Sequence, residues 1–99
     1  YYICRIYYAF MLFENVKIKD VKISTGQYVK MLRKGKKLTQ QELAELLNLS
    51  RITIQNLESG RNFTIDTFLK VLYHFDKLSE LNDFMKAQTN EVKSTKSLY

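Results

Sequence analysis

The sequence predicts an all-α fold, a compact bundle of about five short helices with an extended segment ahead of it and a disordered tail behind it. Three observations carry that expectation. Apolar residues recur at spacings of three and four from Tyr28 onward, as they do in helices that bury one face. Hydroxyl side chains stand ahead of these runs at Ser24, Thr39, Ser50, Thr64 and Ser79, where each can satisfy a backbone donor that the first helical turn leaves free. The 99 residues contain no proline, which suits helices joined without rigid loops.

Residues 1–13 form an aromatic and aliphatic run interrupted only by Arg5. The run is shorter than the roughly 20 apolar residues a membrane span needs. It also has neither the basic leader nor the small-residue cleavage pattern of a signal peptide, so no stable membrane association is expected. Its β-branched and aromatic content fits an extended segment packed on the domain or on a second subunit. A second reading stands beside this one: the chain starts without methionine, and residues ahead of Met11 belong to an over-extended reading frame. In residues 14–24, Val16, Ile18, Val21 and Ile23 alternate with lysines and an aspartate, and the register slips at Lys19 and Asp20. That is the pattern of a short half-exposed strand with a bulge. A strand pairing with a symmetry mate, a basic arm along phosphates and a solvated linker are all open to it. Residues 1–23 are therefore read as an arm, 24–85 as the domain and 86–99 as a flexible tail.

Ser24 is expected to cap the first helix of the domain, with Tyr28, Met31 and Leu32 buried and Gly35 at its end. Lys30, Arg33, Lys34, Lys36 and Lys37 crowd that end with no acid among them. Cations near a helix C-terminus favour its dipole, but this cluster exceeds what capping requires. Beside the start of the next helix, whose backbone donors can hold an anion, it makes a phosphate site.

Thr39 and Glu42 have the spacing of a capping box, so a helix is expected from Gln40, with Leu43, Leu46 and Leu47 on its apolar face and Ala44 small where another helix must come close. Asn48 tolerates the left-handed conformation that ends a helix, and Ser50 starts another only two positions later. That next helix spans about residues 51–59, points Ile54 and Leu57 inward, and stops at Gly60. Two helices joined by so short a turn form a helix-turn-helix, whose second member can lie in the major groove of DNA. Its outer face carries Arg51, Ile52, Gln55 and Asn56. Arginine pairs bidentately with guanine edges, and glutamine or asparagine with adenine. The same residues also suit the solvated face of an ordinary helical hairpin.

Arg61 and Asn62 follow in a loop. Thr64 then caps a helix whose Ile65, Phe68, Leu69, Leu72 and Phe75 make the widest apolar face in the chain, the expected packing centre. Ser79 caps a last short helix that contacts the core through Leu78, Leu81, Phe84 and Met85. Beyond it periodicity and bulk fade, as in a disordered tail.

A formal net charge of +6 favours an anionic partner, although a membrane surface or an acidic protein would answer the same charge. The single cysteine, Cys4, excludes an intramolecular disulfide and points to a reducing compartment such as the cytoplasm. Cys4 and His74 have no partner at ligand spacing, so no metal site is expected. No glycine-rich phosphate loop, distinctive carboxylate pair or nucleophile with a local base is present, and neither an enzyme nor a cofactor is expected.

The run LTQQELAELLNLS over residues 38–50, the following IQNLESGR and TIDTFLKVLYHF, and Arg33 ahead of them resemble the phage-repressor and Cro-like (XRE-type) helix-turn-helix proteins. That family includes small repressors and antitoxins, and the resemblance covers roughly residues 24–85. It implies that Gln40 contacts a phosphate or base, that Arg51, Ile52, Gln55 and Asn56 face base edges, and that Arg33 pairs with Glu58 as a structural bridge. The expected phosphate contacts are Lys34, Lys36, Lys37, Thr39, Gln40, Ser50, Thr53 and Arg61. Two departures from the family stand out. Asn48 occupies a bend that is often glycine, and Ile52 a place that is often polar, where it either meets a thymine methyl or faces solvent. The implied function is sequence-specific binding of double-stranded DNA by a homodimeric transcriptional repressor. The alternative is an antitoxin that holds a toxin protein and also binds its own operator.

Overall fold

The computed structural model describes residues 15–96, and among them the chain forms five helices and no strand. Helix α1 (Ile18–Gly35) corrects the strand expected over residues 14–24. The Asp20 carboxylate accepts a hydrogen bond from the Lys17 backbone N–H at 3.0 Å, satisfying one free donor and placing an acid where the helix dipole favours it. The alternation seen in sequence does not track burial, since Val16, Ile18, Val21 and Ile23 are all exposed. The buried stripe is Gly26, Val29 and Arg33. Tyr28 and Leu32 are half-buried, and Met31, expected inside, is exposed. Gly35 does not turn the chain. It is the last helical residue, and the reversal falls at Lys37, whose φ is 57°. Hydrogen bonds from the Lys37 and Leu38 N–H groups to the carbonyls of Lys34 and Arg33 hold that reversal, closing the helix with a left-handed residue.

Helix α2 (Gln40–Leu47) and helix α3 (Arg51–Glu58) form where local chemistry dictates. Thr39 Oγ1 accepts from the Glu42 N–H at 3.1 Å, and Glu42 Oε1 accepts from the Thr39 N–H at 2.8 Å, the reciprocal box that satisfies two donors. Asn48 takes φ 60°, and Ser50 Oγ accepts from the Thr53 N–H at 3.1 Å. Leu43 and Ala44 are buried and Leu47 half-buried, but Leu46, at the edge of the apolar stripe, faces solvent. Gly60 follows α3 with φ 76°, and a side chain there would press on the backbone of Ile23.

Helix α4 (Ile65–His74) is capped by Thr64, whose Oγ1 accepts from the Thr67 N–H. It buries Thr67, Val71 and Leu72; Phe68, Leu69 and Phe75 are half-buried, whereas Ile65 is exposed. Val29, Leu57 and Val71 form one core cluster, and Leu43, Ala44 and Ile54 another, with Leu47 and Phe75 packed against both. Helix α5 (Leu78–Lys96) begins one residue ahead of Ser79, so Ser79 lies in its first turn and is not its cap. It also continues through residues 86–96, where a disordered tail is expected from the sequence. Lost apolar periodicity removes a buried face but not helix propensity, and Lys86, Ala87, Gln88, Glu91 and Lys93 are good helix formers with no glycine or proline among them. The expected domain limits at 24 and 85 thus fall inside helices, and the five helices are not uniformly short. The apolar run of residues 1–13, with Cys4, and the last residues of the chain lie outside the described residues.

Glu42 has a pH consequence. The Thr39 backbone N–H, and then the Thr39 hydroxyl, hold its carboxyl below the usual carboxylate range. A carboxyl whose folded pKa is depressed stabilises the fold above its unfolded pKa and loses that contribution as pH falls through the folded value. Glu42→Gln should therefore flatten part of the acid limb of stability against pH, as read by denaturant midpoints between neutral and acidic buffers. An acid limb unchanged in the variant would remove Glu42 from the account.

Candidate nucleic-acid interface

Helix α3 is fixed from two sides before it presents anything to a partner. Its Ile54 and Leu57 are wholly buried, and its C-terminal end is held by charge. Arg33 Nε donates to Glu58 Oε2 at 2.6 Å and Nη2 donates to Glu58 Oε1 at 3.0 Å, a bidentate pair with both side chains almost fully enclosed. Arg33 Nη1 donates to the Leu38 carbonyl at 2.7 Å, and Gln40 Nε2 donates to Glu58 Oε1 at 3.1 Å. One guanidinium thus joins α1, the turn before α2 and the end of α3. All buried side-chain polar atoms among the described residues have partners, so this network satisfies the charges that burial would otherwise penalise.

Elsewhere on α3, the side chains of Arg51 and Gln55 are exposed and make no hydrogen bond or ion pair among the described residues. Ile52 is 67% exposed, and Asn56 is half-buried beside the loop that follows. A rigidly seated helix with an uncommitted Arg at its first position and an uncommitted Gln one turn later has donors and acceptors that match base edges in a major groove.

A family model described as helix-turn-helix matches residues 29–79, just over half of the chain. The chain belongs to the helix-turn-helix family of the Cro/C1 (XRE) type. No curated protein matches it. It is accordingly a DNA-binding transcription regulator of that type. No helix among the described residues is long and apolar enough to cross a membrane.

In this helix-turn-helix regulator the expected phosphate contacts fall into three groups. Lys34, Lys36, Lys37 and Arg61 are exposed and make no ion pair among the described residues. Thr39, Ser50 and Thr53 already serve caps: the Ser50 and Thr53 hydroxyls share a 2.7 Å hydrogen bond. Gln40 is tied to Glu58, which leaves its second amide hydrogen for another acceptor. His74 is exposed, with its ring edge-on to Phe75 at 5.1 Å.

Sequence reasoning missed Gly26. A Cβ built there would overlap the carbonyl oxygens of both Leu57 and Glu58, so only glycine lets α1 lie directly on the end of α3. The available signal was a glycine two residues into the expected helix, where it costs conformational entropy unless a close approach needs it. The Gln40 to Glu58 hydrogen bond has no comparable signal, since nothing at Gln40 distinguishes a tethered amide from a free one.

Proposed function

We propose that this Cro/C1-type regulator is a dimeric repressor that inserts α3 into the major groove of its operator and excludes competing proteins from the promoter. Arg51, Gln55 and Asn56 read base edges, Ile52 lies against a thymine methyl, and Lys34, Lys36, Lys37 and Arg61, with Gln40 at the start of α2, hold phosphates. The observation that carries this reading is the contrast within α3: its Arg33-facing end is locked in a buried network, while Arg51 and Gln55 are exposed and uncommitted. One small domain covers a few base pairs, so two half-sites about 34 Å apart suit a twofold dimer.

Phosphate holders and base readers leave different marks on binding. Titrations on a duplex selected from a random-sequence pool, and on its scrambled counterpart, separate them. Arg51→Ala or Gln55→Ala should cost about 1–3 kcal/mol on the selected duplex and little on the scrambled one. Lys36→Ala should weaken both alike and lower the slope of log affinity against log salt by about one unit. Equal losses on both duplexes for the α3 variants would mean that the helix does not read sequence.

A further inference from the structure

The described part of the chain starts at residue 15, and one residue later it meets an open groove of about 320 Å³ between the first half of α1 and α4. Val16, ahead of the helix, lines this groove together with Val21 and Tyr28 of α1 and Phe68 of α4. Val16 is 71% and Val21 54% exposed, while Tyr28 and Phe68 are half-buried. Phe68 packs against the cluster of Val29, Leu57 and Val71, so the groove opens onto the edge of the core. The polar residues at its rim are mostly committed within α1 and its cap. Asp20 accepts from the Lys17 N–H at 3.0 Å, and the Thr25 hydroxyl donates to the Val21 carbonyl at 2.7 Å, which leaves Ser24. What the groove offers an occupant is therefore apolar surface.

We propose that Phe10, Met11, Leu12 and Phe13 of the same chain fold back along α1 and fill this groove. Chemistry, reach and concentration select this occupant. Residues 1–13 are an aromatic and aliphatic run interrupted only by Arg5, and side chains of that kind gain by leaving water. From Val21 to Tyr28 the groove floor runs about 10 Å along α1, which about three or four extended residues cover. Glu14 and Asn15 stand between Phe13 and Val16 and supply the reversal. A segment joined so closely to the rim meets the groove at an effective concentration of about millimolar, which a second copy or a free partner would have to exceed. Docking seals Phe68 on its exposed side and extends the core over Val16 and Val21. None of the groove residues is among the proposed DNA contacts, so the docking and the repressor reading stand or fall separately.

Val21→Glu in the full chain tests the docking, because a bare helix and a covered one give opposite signs. Val21 is exposed near the start of α1, where glutamate is the better helix former and its charge suits the helix dipole. With nothing on the helix, the substitution should hold or raise the melting temperature. With the groove filled, it sets a carboxylate against apolar side chains and should lower the melting temperature by about 5 °C or more. In a full chain carrying Phe10→Ser, Met11→Ser, Leu12→Ser and Phe13→Ser together, the same substitution should cost nothing further, and those serines alone should produce a loss of similar size. An unchanged or higher melting temperature for Val21→Glu in the native background would overturn the docking, as would equal losses in both backgrounds. Other occupants would overturn it too, each by its own mark. A difference between the native and serine chains that grows with protein concentration would put the segment on a second copy. Pelleting of the native but not the serine chain with vesicles of phosphatidylcholine and phosphatidylglycerol would give it a bilayer instead.

Discussion

Gly26→Ala should lower stability by about 3 kcal/mol or more, the upper end of what overpacking costs, and drop the melting temperature by more than about 10 °C. The added methyl would meet the backbone carbonyls of Leu57 and Glu58, which cannot swing aside as a side-chain tip can. Relief requires α1 to lift off α3, and that motion also disturbs Val29, which packs with Leu57 and Val71 in the core. Gly35 provides the control of opposite sign. It is also helical, but a Cβ built there has nothing within 4 Å, so Gly35→Ala should gain about 0.5–1 kcal/mol from reduced backbone entropy alone. Denaturant titrations of the two variants side by side decide the matter. Equal midpoints would show that the close approach of α1 to α3 is not a constraint.

The contrast between these two glycines shows what the sequence discloses and what it withholds. The ends of α2 and α3 are legible because capping is local chemistry. Thr39 with Glu42, Asn48 at positive φ and Ser50 each act within four residues of themselves, and a linear reading captures interactions of that range. Which side of a helix faces the core is less legible. Met31, Leu46 and Ile65 are apolar at helical spacing and yet exposed, because burial depends on which neighbour arrives and at what angle. In α1 that neighbour is the end of α3, admitted by Gly26 and not by a large apolar residue. The start of α1 was obscured by a chance alternation of Val16, Ile18, Val21 and Ile23 with polar residues. The outer part of α5 was obscured by the opposite condition, a helix with too few apolar residues to announce itself.

The candidate site divides in the same way. The outward face of α3 follows from the inward positions of Ile54 and Leu57, so Arg51, Ile52 and Gln55 could be placed from periodicity. The Arg33 to Glu58 pair spans 25 residues, and neither residue's spacing announces it; only the resemblance to Cro-like proteins pointed there. The third arm of that network, from Gln40, became visible only with coordinates.

That network sets the other large effect. Glu58→Ala should cost about 3–5 kcal/mol, since removing one partner of a buried ion pair strands the other charge. Arg33 would keep only its hydrogen bond to the Leu38 carbonyl, and its side chain is 9% exposed, too enclosed for water to replace the carboxylate. Gln40 would lose its acceptor in the same step. The size of the loss therefore measures a stranded guanidinium, not the net worth of the pair, and a double variant shows the difference. Arg33→Met combined with Glu58→Leu removes both charges and keeps the volume, so it should recover most of the stability lost in Glu58→Ala. DNA affinity need not follow stability in that variant. The turn before α2 and the Gln40 side chain would no longer be tied to α3, and binding to all duplexes should stay weaker than for the native chain even where the melting temperature returns. Thermal melts and titrations on the selected and scrambled duplexes supply both readings. A native melting temperature in Glu58→Ala would show that the pair does not hold α3 in place. A double variant as unstable as the single one would show that lost packing, and not a stranded charge, is the cause.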